Sequence, residues 1–147
     1  MKYYSYPEFI TDTKSLLSKL QNNRPEAIVA LARGGITLGH FLSNALDNRN
    51  LFCMNAIHYE NNVKRDDDVI LSNIPNLEAY KSVLIVDEIV DSGETMEATV
   101  ICLEKEYPDI RFRTATLFQK ETAIFQCDYS EHNAVEWIEF FWEKDLL

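Results

Sequence analysis

The stretch Val83-Leu84-Ile85-Val86-Asp87-Glu88-Ile89-Val90-Asp91-Ser92-Gly93-Glu94-Thr95 constrains the fold of this chain more than any other. Val83 to Val86 are four consecutive apolar residues without polar alternation, the pattern of a strand buried on both faces. Such a strand needs a sheet with helices on both sides. It runs directly into Asp87 and Glu88, and in open α/β sheets ligands bind beyond the carboxyl ends of the strands. Two carboxylates at that edge can accept hydrogen bonds from sugar hydroxyls or hold a hard divalent cation such as Mg²⁺. Asp91 adds a third acid. Carboxylates this dense repel one another, so a compensating partner is expected.

Asp91-Ser92-Gly93-Glu94-Thr95 then opens a helix. The Ser92 and Thr95 hydroxyls can donate hydrogen bonds, and Gly93 permits a backbone geometry that other residues resist. Successive N–H groups at a helix N-terminus, aided by the helix dipole, cradle a phosphate. Carboxylates for ribose and metal followed at once by a phosphate cup describe a site for a ribose 5-phosphate group. There is no GxxxxGK[ST] loop and no GxGxxG, so neither a P-loop nor a dinucleotide fingerprint competes.

The rest of the chain supplies a matching α/β frame. Ser5-Tyr6-Pro7-Glu8 has the form of a capping box, and Phe9, Thr13, Leu16, Leu17 and Leu20 follow at helical spacing, predicting a helix over 6–21. Ala27–Ala32 reads as a buried strand, Arg33-Gly34-Gly35 as a turn, 36–46 as a helix and Leu51–Tyr59 as a second strand. Residues 60–73 read as an exposed loop or hairpin, Ser82–Val86 as the strongest strand, 95–107 as a helix closed by Pro108, and 111–118 as another strand. The order implies a single α/β domain with a mainly parallel sheet flanked by helices.

The 147 residues suit one domain, and the formal net charge of −10 disfavours a nucleic-acid-binding surface. It also disfavours lasting contact with an anionic membrane. No apolar run approaches the roughly 20 residues needed to span a bilayer, and the N-terminus lacks an apolar signal core, so the cytoplasm is the expected compartment. Cys53, Cys102 and Cys127 form no CxxC pair or disulfide framework; Cys53 and Cys102 lie in apolar runs and are expected as buried thiols. His40, His58 and His132 lack metal-ligand spacing and are read as structural or surface residues.

The central stretch resembles the signature of type I phosphoribosyltransferases: a hydrophobic strand, two acids, two apolar residues, then D-[ST]-G-x-T. Leu31-Ala32-Arg33-Gly34-Gly35 resembles the family's pyrophosphate loop after the first core strand. Trp137-Ile138-Glu139-Phe140-Phe141-Trp142-Glu143 resembles the C-terminal ending of bacterial xanthine-guanine phosphoribosyltransferases. Lys120 matches a lysine that contacts the exocyclic oxygen of the base in purine enzymes. The resemblance covers roughly residues 25–143. It implies a core over about 25–120 and a small base-recognition hood formed by about 120–147 with the N-terminal helix.

The resemblance also implies roles. Asp87 and Glu88 would hold the ribose hydroxyls and Mg²⁺. The backbone of Ser92, Gly93, Glu94 and Thr95 would grip the 5′-phosphate. Arg33, Gly34 and Gly35 would take the pyrophosphate, after a cis peptide between Ala32 and Arg33. Asp91 would act as general base near the purine N7. Trp137 would stack on the base, and Lys120 and the Ile138 backbone would read its edge. The implied reaction joins a 6-oxopurine to the phosphoribosyl group of phosphoribosyl pyrophosphate, giving a nucleoside monophosphate and pyrophosphate. Family habit and aromatic richness imply a homodimer or homotetramer. Glu94 departs from the pattern, because a carboxylate in the cup repels phosphate unless it points outward. Three other readings keep the fold: a nucleotide-sensing regulator that binds RNA, a weakly catalytic nucleotide-binding module, and a transferase for orotate or adenine.

Overall fold

The computed structural model describes residues 1–58 and 69–146. Its elements in chain order are β1 (Lys2–Tyr4), α1 (Tyr6–Leu20), β2 (Ala27–Ala32), α2 (Gly35–Ala45), β3 (Leu51–His58), β4 (Val69–Ser72), β5 (Ser82–Val90), α3 (Glu94–Glu106), β6 (Arg111–Gln119), β7 (Tyr129–Asn133), β8 (Ile138–Phe140) and α4 (Phe141–Lys144). Six strands make one sheet in the order β4-β3-β2-β5-β6-β7. Its pairings are parallel except β4, which runs antiparallel along β3. This is the mainly parallel, helix-flanked sheet expected from the sequence.

The apolar runs split cleanly between two faces. Ile28 and Ala30 of β2 and Leu84 and Val86 of β5 join Leu38 and Leu42 of α2 and Phe9, Leu16 and Leu20 of α1. Their neighbours Ala27, Val29, Leu31, Val83 and Ile85 point the other way, onto Met96 and Leu103 of α3. Successive strand side chains face opposite sides, so an unbroken apolar run is what two covered faces demand. Gly39 lets α2 approach β2 closely: a Cβ there would sit 2.8 Å from the Ala30 methyl.

The capping box forms as expected. The Glu8 N–H donates to Ser5 Oγ at 3.3 Å, and the Ser5 N–H donates to Glu8 Oε2 at 2.8 Å. Asp12, buried on the same helix, accepts from Tyr4 Oη at 2.5 Å and lies 2.8 Å from His132 Nε2. A second sheet pairs β1 with β8 in parallel, Lys2 opposite Ile138 and Tyr4 opposite Phe140. It ties the two chain ends together above the carboxyl edge of the large sheet.

Four expectations change. The strand begun at Ser82 continues to Val90, because β6 pairs with it as far as Val90 opposite Gln119. Asp87 and Glu88 therefore sit within the strand rather than after it. Of the segment 60–73, residues 69–72 are a strand and 60–68 lie outside the described residues. The strands β1, β7 and β8 escape the sequence reading, being short and without alternation. Cys53 is exposed and Cys102 only partly buried, not core thiols. Cys53 lies on the face of β3 opposite to buried Met54, and α2 packs mainly over β2 and β5, leaving that face of β3 open. Among the described residues no helix is long and apolar enough to cross a membrane.

Candidate active site

The site is built where β5 outruns its neighbour. Pairing of β5 with β2 ends at Val86 opposite Ala30, while pairing with β6 goes on to Val90. Asp87 and Glu88 are thus left at a notch above the end of β2. The Asp87 carboxylate accepts from the Glu88 N–H at 2.9 Å. Burial, and after it the charge of Glu88, holds the Asp87 carboxyl well above the usual carboxylate range. The residue as a whole keeps a partial opening toward the cavity, so its carboxyl is crowded yet reachable.

The turn from β2 into α2 closes one side of this notch. The peptide bond between Ala32 and Arg33 is cis. A Cβ at Gly34 would overlap the Glu88 carboxyl group, and one at Gly35 would lie 2.5 Å from the Val86 carbonyl oxygen. The Arg33-Gly34-Gly35 turn therefore sits directly against the two acids, with Arg33 exposed.

The other side is the start of α3. Gly93 has φ of 90°, in the left-handed region, and caps the helix. The first intrahelical bond runs from the Glu97 N–H to the Gly93 carbonyl. The N–H groups of Thr95 and Met96 come before it and have no carbonyl one turn back. The Glu94 N–H is taken by Ser92 Oγ at 3.2 Å. The segment after β6 packs onto this turn: the Ile124 N–H donates to the Ser92 carbonyl at 2.8 Å, and a Cβ on Gly93 would meet the Phe125 nitrogen at 2.7 Å. A cavity of about 210 Å³ opens here, walled by Asp87, Asp91, Ser92, Gly93, Thr95 and His58 among others.

A second cavity of about 410 Å³ adjoins it, walled by Glu88, Asp91, Lys120, Trp137, Ile138, Glu136 and Glu143 among others. Ile89 and Asp91 belong to both cavities. Trp137 is 70% exposed, whereas Ile138 is 5% exposed and anchors the wall. The Lys2 N–H holds the Trp137 carbonyl at 2.8 Å. Lys120 is set by its own N–H, which donates to the Val90 carbonyl at 3.0 Å, and its ammonium contacts the Asp91 carboxylate.

All the residues singled out in the sequence thus gather at one carboxyl edge, in three groups around the β5 notch. One residue read from the sequence as merely structural or surface, His58, joins them in the cavity wall. Pairing of β3 with β2 ends at Asn55 opposite Ala32, and β3 runs three residues further, with β4 as its partner up to His58 opposite Val69. That overhang puts His58 in the wall of the smaller cavity, with Nε2 at 2.6 Å from Glu94 Oε2. The contact is an ion-pair approach without hydrogen-bond alignment. Only strand register reveals it, since no local pattern around His58 points to α3.

The geometry has close counterparts. The family model for the phosphoribosyl transferase domain matches residues 2–147. The fold superposes on a xanthine-guanine-hypoxanthine phosphoribosyltransferase of Helicobacter pylori with a TM-score of 0.92 and 42% identity, covering 99% of this chain and 95% of that one. A purine phosphoribosyltransferase of Pyrococcus horikoshii Ot3 aligns with a TM-score of 0.83 and 27% identity over 97% of this chain and 94% of that one. A xanthine-guanine phosphoribosyltransferase of Idiomarina loihiensis is 26% identical over 98% of this chain and 88% of its own length. With a strand-borne acid pair, a glycine turn and a helix-start cup arranged as above, this chain belongs to the phosphoribosyl transferase domain family.

Proposed function

We propose that this protein transfers the 5-phosphoribosyl group of phosphoribosyl pyrophosphate to a 6-oxopurine, in the cytoplasm, as a homodimer or homotetramer. One observation carries the reading: Asp91 walls both cavities. A ribose whose 5′-phosphate lies in the helix-start cup has its C1′ directed to the boundary at Asp91, and the larger, aromatic-walled cavity receives the base. The two relatives of known fold with most similarity above are named for purine transfer, which agrees with this cavity.

The ribose hydroxyls would lie over Asp87 and Glu88, acceptors at the right edge of the sheet. The donor set there is all oxygen and fits Mg²⁺, which commonly takes one or two carboxylates and completes its shell with substrate phosphates and water. Among the described residues no cluster of three metal-ligating side chains occurs. When bound, Mg²⁺ supplies charge neutralisation for the departing pyrophosphate. The chain's own residues do the rest. Arg33 and the amides of Gly34 and Gly35 receive the pyrophosphate, and Ser92, Gly93, Glu94 and Thr95 fix the 5′-phosphate through backbone N–H and hydroxyl groups. Trp137 stacks on the purine, and Lys120 and the Ile138 backbone read its edge. Asp91 accepts the purine proton as the bond to C1′ forms. Catalysis then rests on positioning and on charge placed where the transition state needs it.

A spectrophotometric screen of guanine, hypoxanthine, xanthine, adenine and orotate, each with phosphoribosyl pyrophosphate and Mg²⁺, tests the reading. Turnover with at least one 6-oxopurine and none with orotate is expected. Absence of turnover with all three 6-oxopurines would sink it.

A further inference from the structure

The phosphate cup has an electrostatic problem that the family signature does not solve. Its wall contains two carboxylates, Asp87 and Asp91. Glu94, at the first position of α3, adds a third acid beside the cup. The chain as a whole carries a formal charge of −10. A phosphate dianion entering here meets helix-start N–H groups and hydroxyls, which carry only partial charge. Among the described residues of the wall, His58 is the one side chain able to bear a positive charge.

His58 and Glu94 meet at 2.6 Å, each part-buried, with side-chain exposures of 23% and 33%. His58 faces the cavity and Glu94 does not. The carboxylate is thus turned away from the cup and spent on the imidazole. An imidazolium donates from both ring nitrogens. With Nε2 toward Glu94, Nδ1 is the ring nitrogen that this carboxylate does not engage. A histidine between a carboxylate and an anion can offer one ring nitrogen to each.

From this arrangement we infer that His58 is a further substrate-binding residue, a ligand of the substrate's 5′-phosphate, and that Glu94 is its positioning residue. The inference rests on the assignment of the cup to the 5′-phosphate made above. It accounts for the acid inside the phosphate signature: Glu94 acts on phosphate through His58 and not directly.

The two residues make opposite predictions alone and together. Binding of phosphoribosyl pyrophosphate with Mg²⁺ is measured by titration calorimetry, alongside pyrophosphate with Mg²⁺, which has no 5′-phosphate. His58→Ala is expected to weaken phosphoribosyl pyrophosphate about tenfold while leaving pyrophosphate within about twofold. His58→Gln, which keeps an N–H donor but loses the charge, is expected to fall between. Glu94→Ala in the native background is expected to weaken phosphoribosyl pyrophosphate about threefold, although it removes a negative charge near a phosphate. In the His58→Ala background the same change is expected to tighten binding, because only repulsion is left. Tighter binding by Glu94→Ala in the native background overturns the inference. So does an equal loss of both ligands in His58→Ala, or native affinity in His58→Gln. If the native protein binds neither ligand, the assignment of the cup itself fails. If it binds both and the variants show no difference, only the role of His58 fails.

Discussion

The ammonium of Lys120 closes onto the carboxylate of Asp91, which walls both the smaller cavity and the larger one. The two groups proposed to meet the purine therefore satisfy each other in this structure. On that proposal an entering base would part them, so each one's removal changes what the other offers.

Asp91→Asn is expected to lower kcat by about a hundredfold or more, the usual scale of a lost general base, with a much smaller change in KM for phosphoribosyl pyrophosphate. Lys120→Ala is expected to raise KM for the purine selectively. Because the side chains touch, the double variant should lose less than the product of the single losses. Steady-state kinetics on both substrates check this. Equal effects on kcat and on phosphoribosyl pyrophosphate binding would remove Asp91 from the base role, and an unchanged purine KM would remove Lys120 from the base-reading site.

The two glycines of the Arg33 turn should respond differently to alanine. At Gly35 the new methyl meets backbone, the Val86 carbonyl at 2.5 Å. Overpacking of that kind costs roughly 1–3 kcal/mol, so the urea midpoint should fall. At Gly34 the methyl meets the end of the Glu88 side chain, which can swing away. Gly34→Ala should fold with near-native stability yet lose affinity for phosphoribosyl pyrophosphate with Mg²⁺. Comparable unfolding midpoints for both variants would contradict this placement of the turn.

Asp87 gives the ligand-free protein a pH dependence with a definite sign. Its folded pKa lies well above the ordinary value of 3.8, because of burial first and Glu88 second. The folded state therefore binds this proton more tightly than the unfolded state does. The resulting stability is complete below about pH 3.8 and is lost as pH rises through the elevated folded value. Above pH 3.8 the folded state must hold this proton or bury a charge, a cost the amide avoids, and Asp87→Asn should be more stable than the native protein by on the order of 1 kcal/mol. Urea unfolding across the range above pH 4, without Mg²⁺ or substrate, should show the gap widening with pH. A gap that stays constant would exclude Asp87 as its source.

The cysteines should label in a fixed order. Cys53 is exposed on the uncovered face of β3. The Cys127 thiol is pushed up to about 12, chiefly by burial, so it is almost wholly protonated at pH 8. As the thiolate is the reactive species, iodoacetamide should modify Cys53 faster than Cys127 by on the order of tenfold or more. Mass mapping of the native protein reads the order, and Cys53→Ser should abolish the fast phase. Rapid labelling of Cys127 in the folded protein would contradict its burial.

Much of the site could be read from local sequence because its parts are local. The strand from Val83, the acids after it and the helix start at Glu94 follow one another without a break, and each has a pattern of its own. The helices at Tyr6, Gly35 and Glu94 lie within a residue or two of their expected starts for the same reason: caps, glycines and apolar spacing act over one turn. Cys53 shows the limit. An apolar run such as Leu51 to Met54 is the same string whether both of its faces are covered or one is open, and only the lie of α2 decides.

By itself the sequence determined the parallel α/β frame, the acid pair of β5, the glycine turn and the helix-start cup, since each depends on contacts between near neighbours in the chain. Tertiary structure alone decided how far each strand extends at the carboxyl edge. That register leaves Asp87 and Glu88 at an open notch, carries His58 across to Glu94, and brings Lys120 onto Asp91. These pairs are separated by 29 residues or more. A strand's length at the sheet edge is set by which neighbour continues beside it, and no local pattern encodes that.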